Sequence, residues 1–338
     1  MMNKANPDAL AALKGRSLLT LLDLTDVEMT ALLDAAADLK ARKARGERGQ
    51  RLAGRNIALV FEKSSTRTRC AASVAVFDEG GHAEYLSSSD IHLGRKESVA
   101  DTARVLGRMF DGIMYRGFAQ RTAELLARHA GIPVWNGLTD DTHPTQALAD
   151  LMTVRERFGR LAGLTAVYVG DGRNNVATSL MFGCAKSGVN FVNCTPPELR
   201  PTDAMVETAA AIARGNRCTV RVETSPAAAV VGAHVVYTDV WVSMGEEAKK
   251  DERLRLLRPY QVNMDLMRRT GNLERNEVIF LHCLPAFHDS STEVTAKTGA
   301  QEVTNDVFEA PFSLVFDEAE NRMHTIKALV VASVTGRI

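Results

Sequence analysis

Short apolar runs alternate with amphipathic stretches along most of the chain, and that alternation predicts the fold. In the first half, residues 57–61, 83–86, 112–116 and 132–136 read as strands. Between them, 70–77, 99–110 and 121–129 have helical spacing. The pattern restarts after a helix running from 144 to about 158. Residues 164–169, 191–194, 219–222, 235–238 and 278–281 read as strands, with helices at 176–185, 203–214 and 227–231 and a long helix over 318–336. A repeated βαβ order favours parallel sheets covered by helices on both faces. The expectation is therefore an α/β protein of two doubly wound parallel-sheet domains joined by helices. Residues 1–150, completed by the C-terminal helix 318–338, would form one domain and 151–317 the other, with the active site in the cleft between them.

Outside this alternation, Thr25 followed by Asp26 and Glu28 marks a helix start ahead of Met29, Leu32, Leu33 and Leu39. The charge-rich stretches 40–51 and 246–258 read as solvated surface, the second with room for a lid role. Composition narrows the class. The 338 residues are 45% hydrophobic and 24% charged, values of a globular protein that keeps to water. Lys plus Arg equals Asp plus Glu at 41 each, so net charge implies no nucleic-acid partner. Residues 1–14 lack the apolar core of a secretory signal, and no apolar run is long enough to cross a bilayer. The five cysteines, at 70, 184, 194, 218 and 283, form no CxxC pair and are odd in number. That argues against a zinc site or a disulfide framework and for a reduced, cytoplasmic protein.

The chemistry gathers where strands end. After the strand at 57–61 comes Ser64-Ser65-Thr66-Arg67-Thr68-Arg69, at the start of a helix. A helix start offers unpaired N–H groups and the positive end of its dipole. An ordinary serine N-cap would explain one hydroxyl. Three hydroxyls interleaved with two arginines point instead to an oxyanion site, with guanidinium groups able to grip two phosphate oxygens at once. Arg116 ends the next strand but one. His143 precedes Pro144, a residue suited to a first helical turn, and Gln146 follows within the same turn. In the second half, Gly170-Asp171-Gly172-Arg173-Asn174-Asn175 follows a strand as a dinucleotide fingerprint would, but lacks the third glycine. Asp239 and Ser243-Met244-Gly245 follow the strand at 235–238, and His282-Cys283-Leu284-Pro285 follows that at 278–281. The loop 87–98 is polar and carries His92 and Lys96. Cys283 has no flanking Lys or Arg, which favours a binding role over a nucleophilic one, and His282 would point the other way on a strand.

Ser65-Thr66-Arg67-Thr68-Arg69 resembles the carbamoyl-phosphate signature of the aspartate/ornithine carbamoyltransferase family, and His143-Pro144-Thr145-Gln146 resembles its second signature. Asn174-Asn175, Asp239 with Ser243-Met244-Gly245, and His282-Cys283-Leu284-Pro285 resemble the amino-acid motifs of the family's ornithine-using branch. The resemblance spans about residues 17–335. It implies that carbamoyl phosphate and L-ornithine give L-citrulline and phosphate, by direct attack of the deprotonated side-chain amine on the carbamoyl carbon. It implies catalytic roles for Arg67, Arg116, His143 and Cys283. Carbamoyl phosphate would be bound by Ser65, Thr66, Arg67, Thr68, His92, Arg116, His143, Gln146, Cys283, Leu284 and Arg322, and ornithine by Asn175, Asp239, Ser243 and Met244. No metal and no cofactor is implied, since carbamoyl phosphate is already activated. A homotrimer is implied, with further assembly of trimers left open, as is the choice between arginine synthesis and breakdown. His92 stands where the family pattern has glutamine. Other readings are a carbamoyltransferase acting on putrescine or an N-acylated ornithine, a non-catalytic carbamoyl-phosphate-binding protein, and a dinucleotide-dependent oxidoreductase.

Overall fold

The apolar runs form two all-parallel sheets in the computed structural model, which describes residues 5–89, 91–94, 96–242 and 249–338. Ser243, Met244 and Gly245, and the start of the charged stretch after them, lie outside the described residues. The first sheet comprises β1 (Asn56–Phe61), β2 (His82–Ser87), β3 (Gly112–Arg116) and β4 (Val134–Leu138), in the order β2-β1-β3-β4. The second comprises β5 (Thr165–Val169), β6 (Asn190–Cys194), β7 (Val220–Glu223), β8 (Val235–Thr238) and β9 (Ile279–His282), in the order β7-β6-β5-β8-β9. The chain divides into two compact units, Met1–Met152 with Ala319–Ile338, and Thr153–Glu318, each holding one sheet. The helix Pro144–Phe158 carries the chain from the first unit into the second, and Val315–Thr335 carries it back.

Period-2 alternation on buried strands explains the first unit's layers. Ala58, Val60, Ile113, Tyr115 and Val134 pack against Ala103 and Leu106 of the helix Val99–Met109 and against Ala123, Leu126 and Ala130 of Gln120–Ala130. The intervening Ile57, Leu59, Phe61, Met114 and Trp135 are buried as well, so both faces are covered. In each sheet the connections run in opposite directions from one central strand. The resulting switch points lie between β1 and β3 and between β5 and β8, where open α/β sheets bind ligands at the strands' carboxyl ends.

Several boundaries differ from the sequence pattern for local reasons. β4 starts at Val134 rather than at residue 132. Gly131 takes a left-handed conformation to end the preceding helix, and Pro133 has no N–H to give a ladder. Leu18 pairs with the edge at β4, its N–H reaching Val134 O at 2.9 Å and its carbonyl taking the Asn136 N–H at 2.8 Å. The C-terminal helix begins at Val315, three residues before the expected 318. All five cysteines are free thiols, and no described helix is long and apolar enough to cross a membrane.

Candidate active site

Ser65 is the N-cap of the helix Thr66–Asp78, its Oγ accepting the Thr68 N–H at 3.1 Å and its hydroxyl donating to Thr68 Oγ1. Thr68 is fully buried, and its hydroxyl oxygen is a meeting point. Arg116, at the end of β3, donates to it at 3.2 Å, and Arg322, from the C-terminal helix, at 2.6 Å. Arg322 also reaches Gly137 O at 3.3 Å and His143 Nε2 at 2.9 Å. A guanidinium group can only donate, so Nε2 is the acceptor and the imidazole carries its proton on Nδ1. Two buried cations converging on one neutral hydroxyl at a helix start make a field that favours an anion. Arg67 is half-buried in the first turn of the same helix. Arg69 is placed elsewhere, stacked 3.8 Å over the Tyr85 ring.

The turn before His143 is held from a distance. Asn136 is fully buried and donates to Leu19 O at 3.0 Å and to Thr142 Oγ1 at 2.9 Å, while the Thr142 hydroxyl donates to Leu19 O at 3.0 Å. Lys63 pairs with Asp140 at 2.5 Å, tying the signature turn to the residues ahead of the histidine. Gln146 donates through Nε2 to Asp150 Oδ1 at 2.9 Å, which fixes the orientation of its amide. His92 is exposed on the loop after β2, and its side chain makes no hydrogen bond to another described residue. Thr66 is exposed at the helix start.

Burial pushes the pKa of His143 well below the ordinary histidine range, and the charges of Arg322, Arg116 and Arg67 push the same way. The imidazole is therefore neutral at pH 7. Burial likewise lowers His324, on the C-terminal helix, to about 4. Near pH 6.5 the unfolded chain takes up protons on both residues that the folded chain refuses. Stability is therefore expected to fall as pH drops through that value. His324→Gln removes its share, about 1 kcal/mol between pH 7 and 5.5. Thermal melts of both proteins across that range check the difference in slope.

In the second unit, Asn174 caps the helix Asn175–Lys186, its Oδ1 accepting the Val176 N–H at 2.6 Å. Its Nδ2 donates to Asp239 Oδ2 at 2.9 Å, joining the end of β5 to the end of β8 across the switch point. Asp239 Oδ1 accepts the Cys283 thiol at 3.1 Å and the Val240 N–H at 2.8 Å. Of the two asparagines, Asn174 is thus the one bonded to the aspartate; Asn175 is half-buried at the first helical position. Asp171 forms a buried ion pair with Arg253 at 2.7 Å.

The turn after β9 departs from the alternation expected there. β9 ends at His282, and Leu284 is left-handed at φ 58°, so the chain turns back instead of continuing as a strand. One ligand atom each from Asp239, His282 and Cys283 therefore falls within 4.8 Å of the others, rather than the histidine pointing away. These donors are chemically suited to a thiophilic ion. However, His282 Nδ1 already accepts the Leu284 N–H at 2.9 Å, and Nε2 lies 3.2 Å from Glu302.

The glycine turn does not suit a dinucleotide. The Gly172 N–H donates to Thr195 Oγ1 at 3.0 Å, and its carbonyl accepts from Asn193 Nδ2 at 3.0 Å. A Cβ on Gly172 would lie 2.5 Å from Asn193 Oδ1, so this glycine serves packing against β6 and its N–H is already engaged.

Residues 16–156 match the family model described as the aspartate/ornithine carbamoyltransferase carbamoyl-P binding domain, and residues 162–333 match the same family's Asp/Orn binding domain. The chain belongs to the aspartate/ornithine carbamoyltransferase family, a family of enzymes that transfer a carbamoyl group. Among its relatives is a catabolic ornithine carbamoyltransferase of Bacillus licheniformis, 56% identical over 329 residues, which cover 95% of this chain and 97% of that one. An ornithine carbamoyltransferase of Pseudothermotoga lettingae is 54% identical over 321 residues, covering 95% and 98%. The solved ornithine carbamoyltransferase from Pyrococcus furiosus superposes with a TM-score of 0.89 at 42% identity, covering 96% of this chain and 99% of that one.

Proposed function

We propose that the protein carbamoylates the side-chain amine of L-ornithine with carbamoyl phosphate, releasing L-citrulline and phosphate. The observation that carries this is the convergence of Arg116, Arg322 and the signature helix start on Thr68, beside a neutral His143. The phosphate sits at Ser65, Thr66, Arg67 and Thr68, with His92 adding a donor. Arg116 and His143 donate to the carbamoyl oxygen as negative charge grows on it. This requires the His143–Arg322 contact to rearrange, because Nε2 accepts from Arg322 here. Gln146 accepts from the carbamoyl amide through the oxygen that Asp150 does not engage. In the second unit, Asp239 takes the α-ammonium of ornithine and Asn175 its carboxylate, with Ser243 and Met244 contributing beyond the described residues. The backbone at Cys283 and Leu284 receives the side-chain amine, whose attack on the positioned carbonyl gains mainly from orientation. The reaction is assigned no metal and no cofactor.

We assign the protein to the cytoplasm and to a homotrimer. The outer face of the helix Thr66–Asp78 leaves Val74 and Phe77 exposed, the kind of apolar surface a subunit contact covers.

A colorimetric citrulline assay with carbamoyl phosphate tests the reading, with L-ornithine, putrescine and N-acetylornithine as competing acceptors. Turnover with ornithine at least about tenfold above the others is expected, because N-acetylornithine lacks the charged α-ammonium assigned to Asp239 and putrescine lacks the carboxylate assigned to Asn175. No product with any acceptor, or preference for putrescine, overturns it. Cys283→Ala is expected to weaken ornithine binding and lower turnover by about tenfold or less, since a thiol is a weak hydrogen-bond donor. A carbamoylated Cys283 trapped in a rapid quench would instead establish a covalent route.

A further inference from the structure

The turn 282–287 carries Cys283 to Asp239, and it is closed by a carboxylate twenty residues away. Glu302 is fully buried. Its Oε1 accepts the Phe287 N–H at 2.5 Å and lies 3.2 Å from His282 Nε2, so one oxygen ties both ends of the turn. His282, also fully buried, uses Nδ1 to accept the Leu284 N–H at 2.9 Å. That places the imidazole proton on Nε2, where it donates to Glu302. The backbone N–H of His282 is taken by Glu318 Oε2 at 3.0 Å. The Gln301 N–H donates to Phe287 O at 2.7 Å, which holds the segment carrying Glu302 alongside the turn.

These bonds fix an unfavourable conformation. Leu284 is left-handed, where a residue with a Cβ is strained unless its surroundings over-determine it. Its N–H is held by the imidazole, and its side chain packs half-buried against the second unit's core. A buried carboxylate is a costly way to close a loop that a neutral group could close. Its bond to the imidazole that holds the strained Leu284, next to the cysteine that meets Asp239, marks it as more than packing.

We propose that Glu302 is a positioning residue for the transfer reaction. Acting through His282, it holds Leu284 left-handed and so aims the backbone of Cys283 and Leu284 at the amine of the acceptor. This rests on the ornithine-carbamoylating function proposed above, and the wild-type citrulline assay separates the two: no turnover in wild type sinks that function, whereas the outcomes below presuppose an active wild type.

Glu302→Ala frees His282 and, with it, Leu284. It is expected to lower kcat/KM for ornithine by about thirtyfold or more, the scale of two buried donors, the His282 Nε2–H and the Phe287 N–H, left without their acceptor, while KM for carbamoyl phosphate changes less than about twofold. Leu284→Gly in that background adopts the left-handed conformation without strain and is expected to recover at least about tenfold of the loss. A purely structural role would lower the melting temperature with no substrate bias and no rescue. The proposal is overturned if folded Glu302→Ala keeps ornithine kcat/KM within about threefold of wild type, or if Leu284→Gly recovers nothing. Should Glu302→Ala fail to fold, Glu302→Gln carries the test. Its carbonyl oxygen can still accept from both Phe287 and His282, so efficiency within about fivefold of wild type is expected, and a larger loss in folded protein overturns the assignment.

Discussion

Asp239→Asn is expected to raise the Michaelis constant for ornithine by about a hundredfold and that for carbamoyl phosphate by less than about threefold, the scale of one charge-assisted hydrogen bond lost to a single substrate. The carboxylate accepts from Asn174, Cys283 and Val240, three donors arranged around two oxygens. An asparagine there turns its NH2 toward one of those donors, so one bond is lost and the charge that would face an α-ammonium disappears. The same substitution is expected to lower stability by about 1–2 kcal/mol, because a buried donor is left facing a donor. Steady-state kinetics with each substrate varied in turn decide the matter. Equal rises for both substrates, or none, would remove Asp239 from the ornithine site.

The positions of the candidate site residues are legible in the sequence through the ends of strands, while ornithine as the acceptor is named only by the family resemblance. Apolar runs such as 57–61 and 235–238 betray buried parallel strands, and in such sheets the residues just past the carboxyl ends hold the chemistry. That places Thr68, Arg116, Asn174, Asp239 and Cys283 correctly as strand-end residues. What holds them there is not local. His282 meets Glu302 from 20 residues away, its N–H meets Glu318 from 36 away, and Asn136 meets Leu19 from 117 away. No periodicity marks such partners, since a buried carboxylate or amide breaks an apolar pattern without showing which group it serves.

Local geometry accounts for the other departures. Treating His282 and Cys283 as neighbours on one strand puts them on opposite faces, a rule that lapses one residue past the strand's end. The shift of β4 follows from Gly131 and Pro133, both readable in the sequence but easily absorbed into an apolar run. Arg69 could not be separated from Arg67 by composition alone. Only the position of Tyr85 on the neighbouring strand draws it away from the helix start.

Arg67→Ala alone is expected to lose activity by about a hundredfold to a thousandfold, the usual effect of removing a group that stabilises developing charge. If His92 serves the phosphate as proposed, His92→Glu alone is expected to be comparably impaired, because it would set a carboxylate against that phosphate. The informative result is their mixture. His92 lies exposed on the loop following the edge strand β2, with its side chain bonded to no described residue, and Arg67 lies at the start of the helix after β1. If His92 serves a neighbouring subunit's phosphate, each site of a closed three-fold ring draws Arg67 from one chain and His92 from the next. In trimers assembled at random from equal amounts of the two variants, half of the chains keep Arg67 and half keep His92. About a quarter of the sites then keep both, and activity returns toward about a quarter of wild type. If each chain completes its own site, every site carries one lesion and mixing restores nothing. Unfolding and refolding the two variants together, with mixed trimers verified by a mass tag on one of them, distinguishes the outcomes in a single assay.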